Sequence, residues 1–146
     1  MKGNIHADYG FFFLTAMLLL TLPLRWVLAC FLAAAIHELG HILAVVLCGG
    51  RITGLVLSFR GARMDATPLS AGVELCCVLA GPAASLLLVL LARQFPRLAF
   101  CGLAQGIYNL LPLDPLDGAR AVQCLHSLWR KRPLHPEKEL AMRNNQ

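Results

Sequence analysis

Apolar residues run almost unbroken through four stretches of this chain, at about residues 10–24, 26–48, 73–92 and 98–113, with charged and polar residues gathered between them. At the helical rise of about 1.5 Å per residue, each stretch approaches the length needed to cross a bilayer, the first and last being short. The pattern therefore predicts an all-α polytopic membrane protein with about four transmembrane helices. The first stretch reads as a retained anchor, because cleavage near Cys30 would leave the second without its partner. Gly49 and Gly50 should end the second helix. The next segment, Arg51 to Phe59, is rich in β-formers, and a shorter piece follows from Gly61 to Asp65, so a short β-strand or hairpin is expected there. In the third helix Cys77, Gly81 and Ser85 recur every four residues, a spacing that suits close helix packing, and Pro82 frees a backbone carbonyl. In the fourth, Gln105, Asn109 and Pro112 fall at helical spacing on one face that leads into Leu113-Asp114-Pro115-Leu116-Asp117-Gly118. Beyond it, residues 119–129 can form an amphipathic helix, followed by a polar tail.

Composition agrees with a membrane protein: 58% hydrophobic, 14% charged, mean hydropathy +0.64 over 146 residues. That length allows a single membrane-embedded domain spanning 1–146. Basic residues orient it. With the N-terminus inside, Lys2, Arg51, Arg60, Arg63, Arg120 and the five basic residues of 130–143 all face inward, leaving only Arg25, Arg93 and Arg97 outside. The positive-inside rule then places both termini in the cytoplasm, and the net charge of +5 reads as topology and contact with the lipid bilayer rather than nucleic-acid binding. The six cysteines show no C-x-x-C pairing, which argues against a disulfide framework or a cysteine-ligated zinc site.

Against this background the run His37-Glu38-Leu39-Gly40-His41 stands in the middle of an apolar segment. In a helix the two histidines share one face a turn apart and can hold one metal ion, with Glu38 beside them to act as a base on water. Ionisable groups in a hydrocarbon-spanning stretch are costly, so such a cluster marks a functional site facing a protein interior or a wet cavity. A catalytic zinc commonly has three protein ligands. His6, His126 and His135 lie outside the apolar core and are poor candidates for the third. Asp117 is favoured over Glu74 and Asp8, since it follows a polar helix face and precedes a tight turn at Gly118. Asp114 remains a competitor on these grounds.

Together, H-E-L-G-H (37–41), A-G-P-A-A-S (80–85) and N-L-L-P-L-D-P-L-D-G (109–118) resemble the site-2 protease family of intramembrane zinc metalloproteases. The similarity is greatest to small bacterial members related to the sporulation factor-processing protease. The resemblance covers about residues 26–120. It implies that His37, His41 and Asp117 hold zinc, that Glu38 is the general base, and that Asn109 positions substrate or stabilises the oxyanion. Gly81 and Pro82 would pack near the site. Ser85 stands where many members have Asn, and Ala119 where many have a second Gly. No PDZ or CBS domain is expected in this length. The implied activity is hydrolysis of peptide bonds in or near the transmembrane segments of membrane-spanning protein substrates, in a bacterial cell membrane. A proteolytically inactive scaffold that kept the zinc site is the alternative, and oligomeric state is not indicated.

Overall fold

A computed structural model of the chain describes residues 4–7, 9–58, 61–66 and 70–130. A short strand β1 (Asn4–Ala7) leads into helix α1 (Tyr9–Thr21). Pro23 then redirects the chain into the long helix α2 (Leu24–Leu47). α2 closes on glycine: Gly49 adopts φ 76°, its N–H reaches the Val46 carbonyl at 3.0 Å, and the Gly50 N–H reaches that of Val45 at 2.8 Å. This left-handed closure satisfies carbonyls that the last helical turn would otherwise leave bare.

The segment after Gly50 is extended. Strand β2 (Ile52–Ser58) pairs antiparallel with β3 (Gly61–Ala66), and β1 joins β2 in parallel, giving the order β1-β2-β3. Nothing in the apolar pattern had marked residues 4–7 as a strand. Helix α3 (Ala71–Leu87) follows and tightens into a 3-10 turn, Leu88–Leu91. Helices α4 (Pro96–Asn109) and α5 (Asp117–Arg130) complete the described chain.

Among the described residues, two helical stretches are long and apolar enough to cross a membrane, Leu24–Leu47 and Ala71–Leu91. The other two of the about four expected crossing helices, α1 and α4, fall short of that length. α1 has 13 residues and α4 has 14, so each rises only about 20 Å against a hydrocarbon core of roughly 30 Å. Proline sets these limits at Pro23 and Pro96. Because α4 stops at Asn109, Pro112 lies beyond it and does not share a helix face with Gln105 and Asn109.

α2 shows two faces. Ala33, His37, His41 and Val45 recur at every fourth position and are buried. Leu28, Leu32, Leu39, Leu43 and Leu47 are each more than half exposed on the outside. An uninterrupted leucine surface is unfavourable in water and suits lipid. Toward the N-terminal half of α2, Ala33, Leu88, Leu98 and Cys101 form a buried apolar cluster flanked by Trp26, Ala29, Cys30 and Ile36. Trp26 meets Phe100 edge to face at 5.8 Å. The histidines thus sit on the C-terminal side of a packed apolar seam that fixes α2 against α3 and α4.

Contact between α2 and α3 is close enough to exclude a side chain. A Cβ at Gly40 would stand 2.7 Å from the Ala80 carbonyl oxygen and 2.9 Å from the Ala84 Cβ. Gly40→Val should therefore push the two helices apart at a cost of about 1–3 kcal/mol, read as a lowered midpoint of thermal unfolding in detergent. An unchanged midpoint would mean that the helices do not rely on this approach.

Candidate metal centre

The site begins with helical periodicity. One turn apart on the buried face of α2, the rings of His37 and His41 lie edge to face with centroids 4.9 Å apart. Their Nε2 atoms approach to 3.2 Å. Asp117 closes the triangle from the first turn of α5, its Oδ2 standing 3.0 Å from His37 Nε2 and 3.2 Å from His41 Nε2. Four ligands arranged tetrahedrally at about 2.0–2.1 Å around zinc are separated by about 3.3 Å. The three measured separations match that spacing. Among the described residues, His37, His41 and Asp117 are the group of His, Cys, Asp and Glu side chains that could hold a metal ion.

Asp117 reaches the histidines through the turn after α4. Leu113 N–H bonds the Leu111 carbonyl and Leu116 N–H that of Leu113, both at 2.8 Å, while the Leu116 side chain is buried. Gly118 lets the first turn of α5 lie directly on the end of α4, because a Cβ there would fall onto the carbonyls of Leu110 and Leu111. The carboxylate also occupies a helix N-terminus, where negative charge is favoured. Burial by itself would raise the Asp117 carboxyl. Hydrogen bonding with His37 and His41, together with their coulombic pull, outweighs it and lowers the pKa from 3.8 to about 2. An ionised carboxylate is the form that ligates metal.

Glu38 follows His37 on α2, part-buried and within coulombic range of His37, His41 and Asp117. Asn109 is the last residue of α4 and is part-buried. It does not belong to the three-residue group. Asp114, the competing carboxylate, is on the exposed part of the turn and stays apart from that group. Glu74, in the first turn of α3, instead faces Arg120 of α5 at 3.5 Å. His126 is exposed on α5. The side chain of His6, together with Asp8 and His135, lies outside what the structure describes.

Helix α3, whose small residues suggest only close packing, is where the histidines are seated. A Cβ at Gly81 would fall on the His41 imidazole, so glycine there makes room for the ring. Cys77 and Ser85, one turn either side, each contact a ring nitrogen: His41 Nδ1–H donates to the Cys77 carbonyl at 2.9 Å, and Ser85 Oγ lies 2.9 Å from His37 Nδ1. The four-residue spacing was the available signal. Such spacing suits the approach of a neighbouring backbone, whereas part of it faces the imidazole side chains of α2. Pro82, between them, is fully buried.

The family model for Peptidase M50B-like proteins matches residues 11–107. That range takes in His37, Glu38, His41, Gly81, Pro82 and Ser85, and ends before Asn109 and Asp117. Among solved structures, the chain is similar to the "Site-2 Protease from Methanocaldococcus jannaschii", with a TM-score of 0.66 and 22% identity over 88% of this chain and 68% of that one. A search of the curated proteins found no match.

Purified Asp117→Ala and Gly118→Ala proteins should both fall well below wild type in bound metal, the second because displaced Leu110 and Leu111 carbonyls carry Asp117 away from the histidines. Asp114→Ala should load fully. Metal analysis of the three variants decides between the carboxylates, and loss of metal in Asp114→Ala with retention in Asp117→Ala would reverse the assignment.

Proposed function

This chain belongs to the Peptidase M50B-like family, and on that footing we propose that it is an intramembrane zinc metalloendopeptidase of the site-2 protease type. It would hydrolyse peptide bonds in or near the transmembrane segments of membrane-spanning protein substrates. The observation that carries the reading is the convergence of His37 Nε2, His41 Nε2 and Asp117 Oδ2 within 3.2 Å of one another, beside the Glu38 carboxylate and on the flank of two apolar helices.

His37, His41 and Asp117 would hold the zinc ion. When bound, zinc supplies Lewis acidity toward water and the scissile carbonyl. Glu38 serves as general base, accepting a proton from the attacking water and later returning it to the leaving amine. Asn109, at the end of α4, positions substrate or donates to the developing oxyanion. Gly81 and Pro82 keep α3 close to the histidines.

A transmembrane substrate must be unwound before cleavage, because helical carbonyls are hydrogen-bonded and shielded. The small sheet supports this step: β3 is an edge strand, and an edge can take up an extended segment by β-augmentation. The protein would be a multi-pass protein of a bacterial cell membrane with both termini cytoplasmic, akin to the small bacterial members that process sporulation factors. The ten-to-three division of Lys and Arg supports that orientation. Reporter fusions after Cys48 and after Trp129 should both report cytoplasm; an external location for either overturns the orientation.

Glu38→Gln separates an enzyme from a zinc-bearing scaffold. The variant should keep its zinc and its fold while cleavage falls by about 10²–10⁴, the usual range for removing a general acid-base group. Co-expression with single-pass membrane proteins, followed by blotting for cut fragments, measures this. Equal cleavage by wild type and Gln variant would remove Glu38 from the mechanism. If no substrate is cut, and the Gln variant replaces the gene with full function in cells, the scaffold reading prevails.

A further inference from the structure

The two imidazoles are held through their far nitrogens by different kinds of partner. His41 Nδ1 meets the Cys77 carbonyl oxygen at 2.9 Å. A carbonyl can only accept, so the His41 proton sits on Nδ1 and its Nε2 lone pair is directed at the site. His37 Nδ1 meets Ser85 Oγ at 2.9 Å. A hydroxyl can donate or accept, so this second ring is not committed to one tautomer by its partner.

We propose that Ser85 is the positioning residue of the metal centre, acting through His37 as a reversible hydrogen-bond partner. With metal on Nε2, His37 carries its proton on Nδ1 and donates it to Ser85 Oγ. The serine proton then turns to a carbonyl one turn back in α3, a bond open to serine in any helix. Without metal, the His37 proton moves to Nε2 and is donated to Asp117 Oδ2 at 3.0 Å, while the Ser85 hydroxyl donates to Nδ1. Each state has one proton on His37 and one on Ser85, so the interchange is balanced and leaves no extra charge in an apolar interior.

Burial gives the hydroxyl its weight. Ser85 is 0% exposed and His37 2% exposed, and every buried side-chain nitrogen and oxygen among the described residues has a partner. Removing the hydroxyl leaves His37 Nδ1–H facing a space that water does not reach, and an unmatched buried donor is costly. Partners of this kind fix the orientation of ligating histidines, and losing one commonly lowers metal affinity about 10- to 100-fold.

The proposal rests on the metalloprotease reading but is tested separately from it. Zinc affinity of the full detergent-solubilised chain is measured by competition with a chromogenic chelator for wild type, Ser85→Ala, Ser85→Cys and Ser85→Thr, alongside the thermal midpoint of each metal-stripped protein. If the hydroxyl acts through His37, affinity follows its presence: Ala and Cys fall about 10- to 100-fold, and Thr stays near wild type. If Ser85 serves packing alone, affinity follows side-chain volume, with Cys near wild type and Thr the weakest. That second order, or an Ala variant that binds zinc as wild type does, overturns the proposal. Absence of zinc binding in wild type would instead defeat the metalloprotease reading itself.

Discussion

His37 Nε2, His41 Nε2 and Asp117 Oδ2, brought within 3.2 Å of one another inside an apolar helix bundle, repel through their lone pairs unless a proton or a metal ion lies among them. His41 cannot relieve the repulsion by changing tautomer, since its Nδ1 proton is already given to the Cys77 carbonyl. A proton shared through His37 or a metal ion therefore completes the cluster, and the spacing is that of tetrahedral zinc ligands. The rest of the fold serves to hold three acceptors in this arrangement.

Each supporting element contributes a distinct constraint. Helical periodicity on α2 sets the two histidines one turn apart. The small residues of α3 then let the rings stand against a backbone, since Gly81 offers space where any side chain would meet the His41 ring. The turn between α4 and α5 brings the Asp117 carboxylate to the histidines from far along the sequence, and Gly118 lets that turn fold down on the end of α4. At the surface, Arg120 and Glu74 join α5 to α3 at 3.5 Å, both about two-fifths exposed. Such a pair contributes little on its own. Alignment of Asp117 depends more on the buried Leu116 and on the close packing around Gly118.

Between α2 and α3 the chain leaves helix altogether. Gly49 closes α2, two strands follow, and β1 adds a third from before α1. The outer strand β3 of that sheet keeps, unlike a helix, backbone groups open to pairing with an extended segment, which is the feature the proposed cleavage of unwound segments would use. The outward leucines of α2 match a lipid environment, which would leave the polar side of the site facing the protein interior.

Much of this was legible along the chain. The apolar runs marked α2 and α3, Gly49-Gly50 marked the end of α2, and the H-E-x-x-H spacing placed His37 and His41 on one face, because all of these depend on interactions within four or five residues. The limits of α1 and α4 were less legible: hydrophobicity continues past Pro23 and Asn109, whereas the helix does not. The parallel pairing of β1 with β2 joins segments some fifty residues apart, and no local pattern encodes it. The choice between Asp114 and Asp117 was likewise open to spacing alone, since both lie in the same turn; only the folding of that turn against α4 turns one carboxylate inward and leaves the other exposed. Ser85 belongs to the same class. A serine every four residues from a glycine and a cysteine reads as a small packing surface until the tertiary structure brings His37 against it, because a hydrogen bond between two helices is a property of their relative placement and not of either sequence.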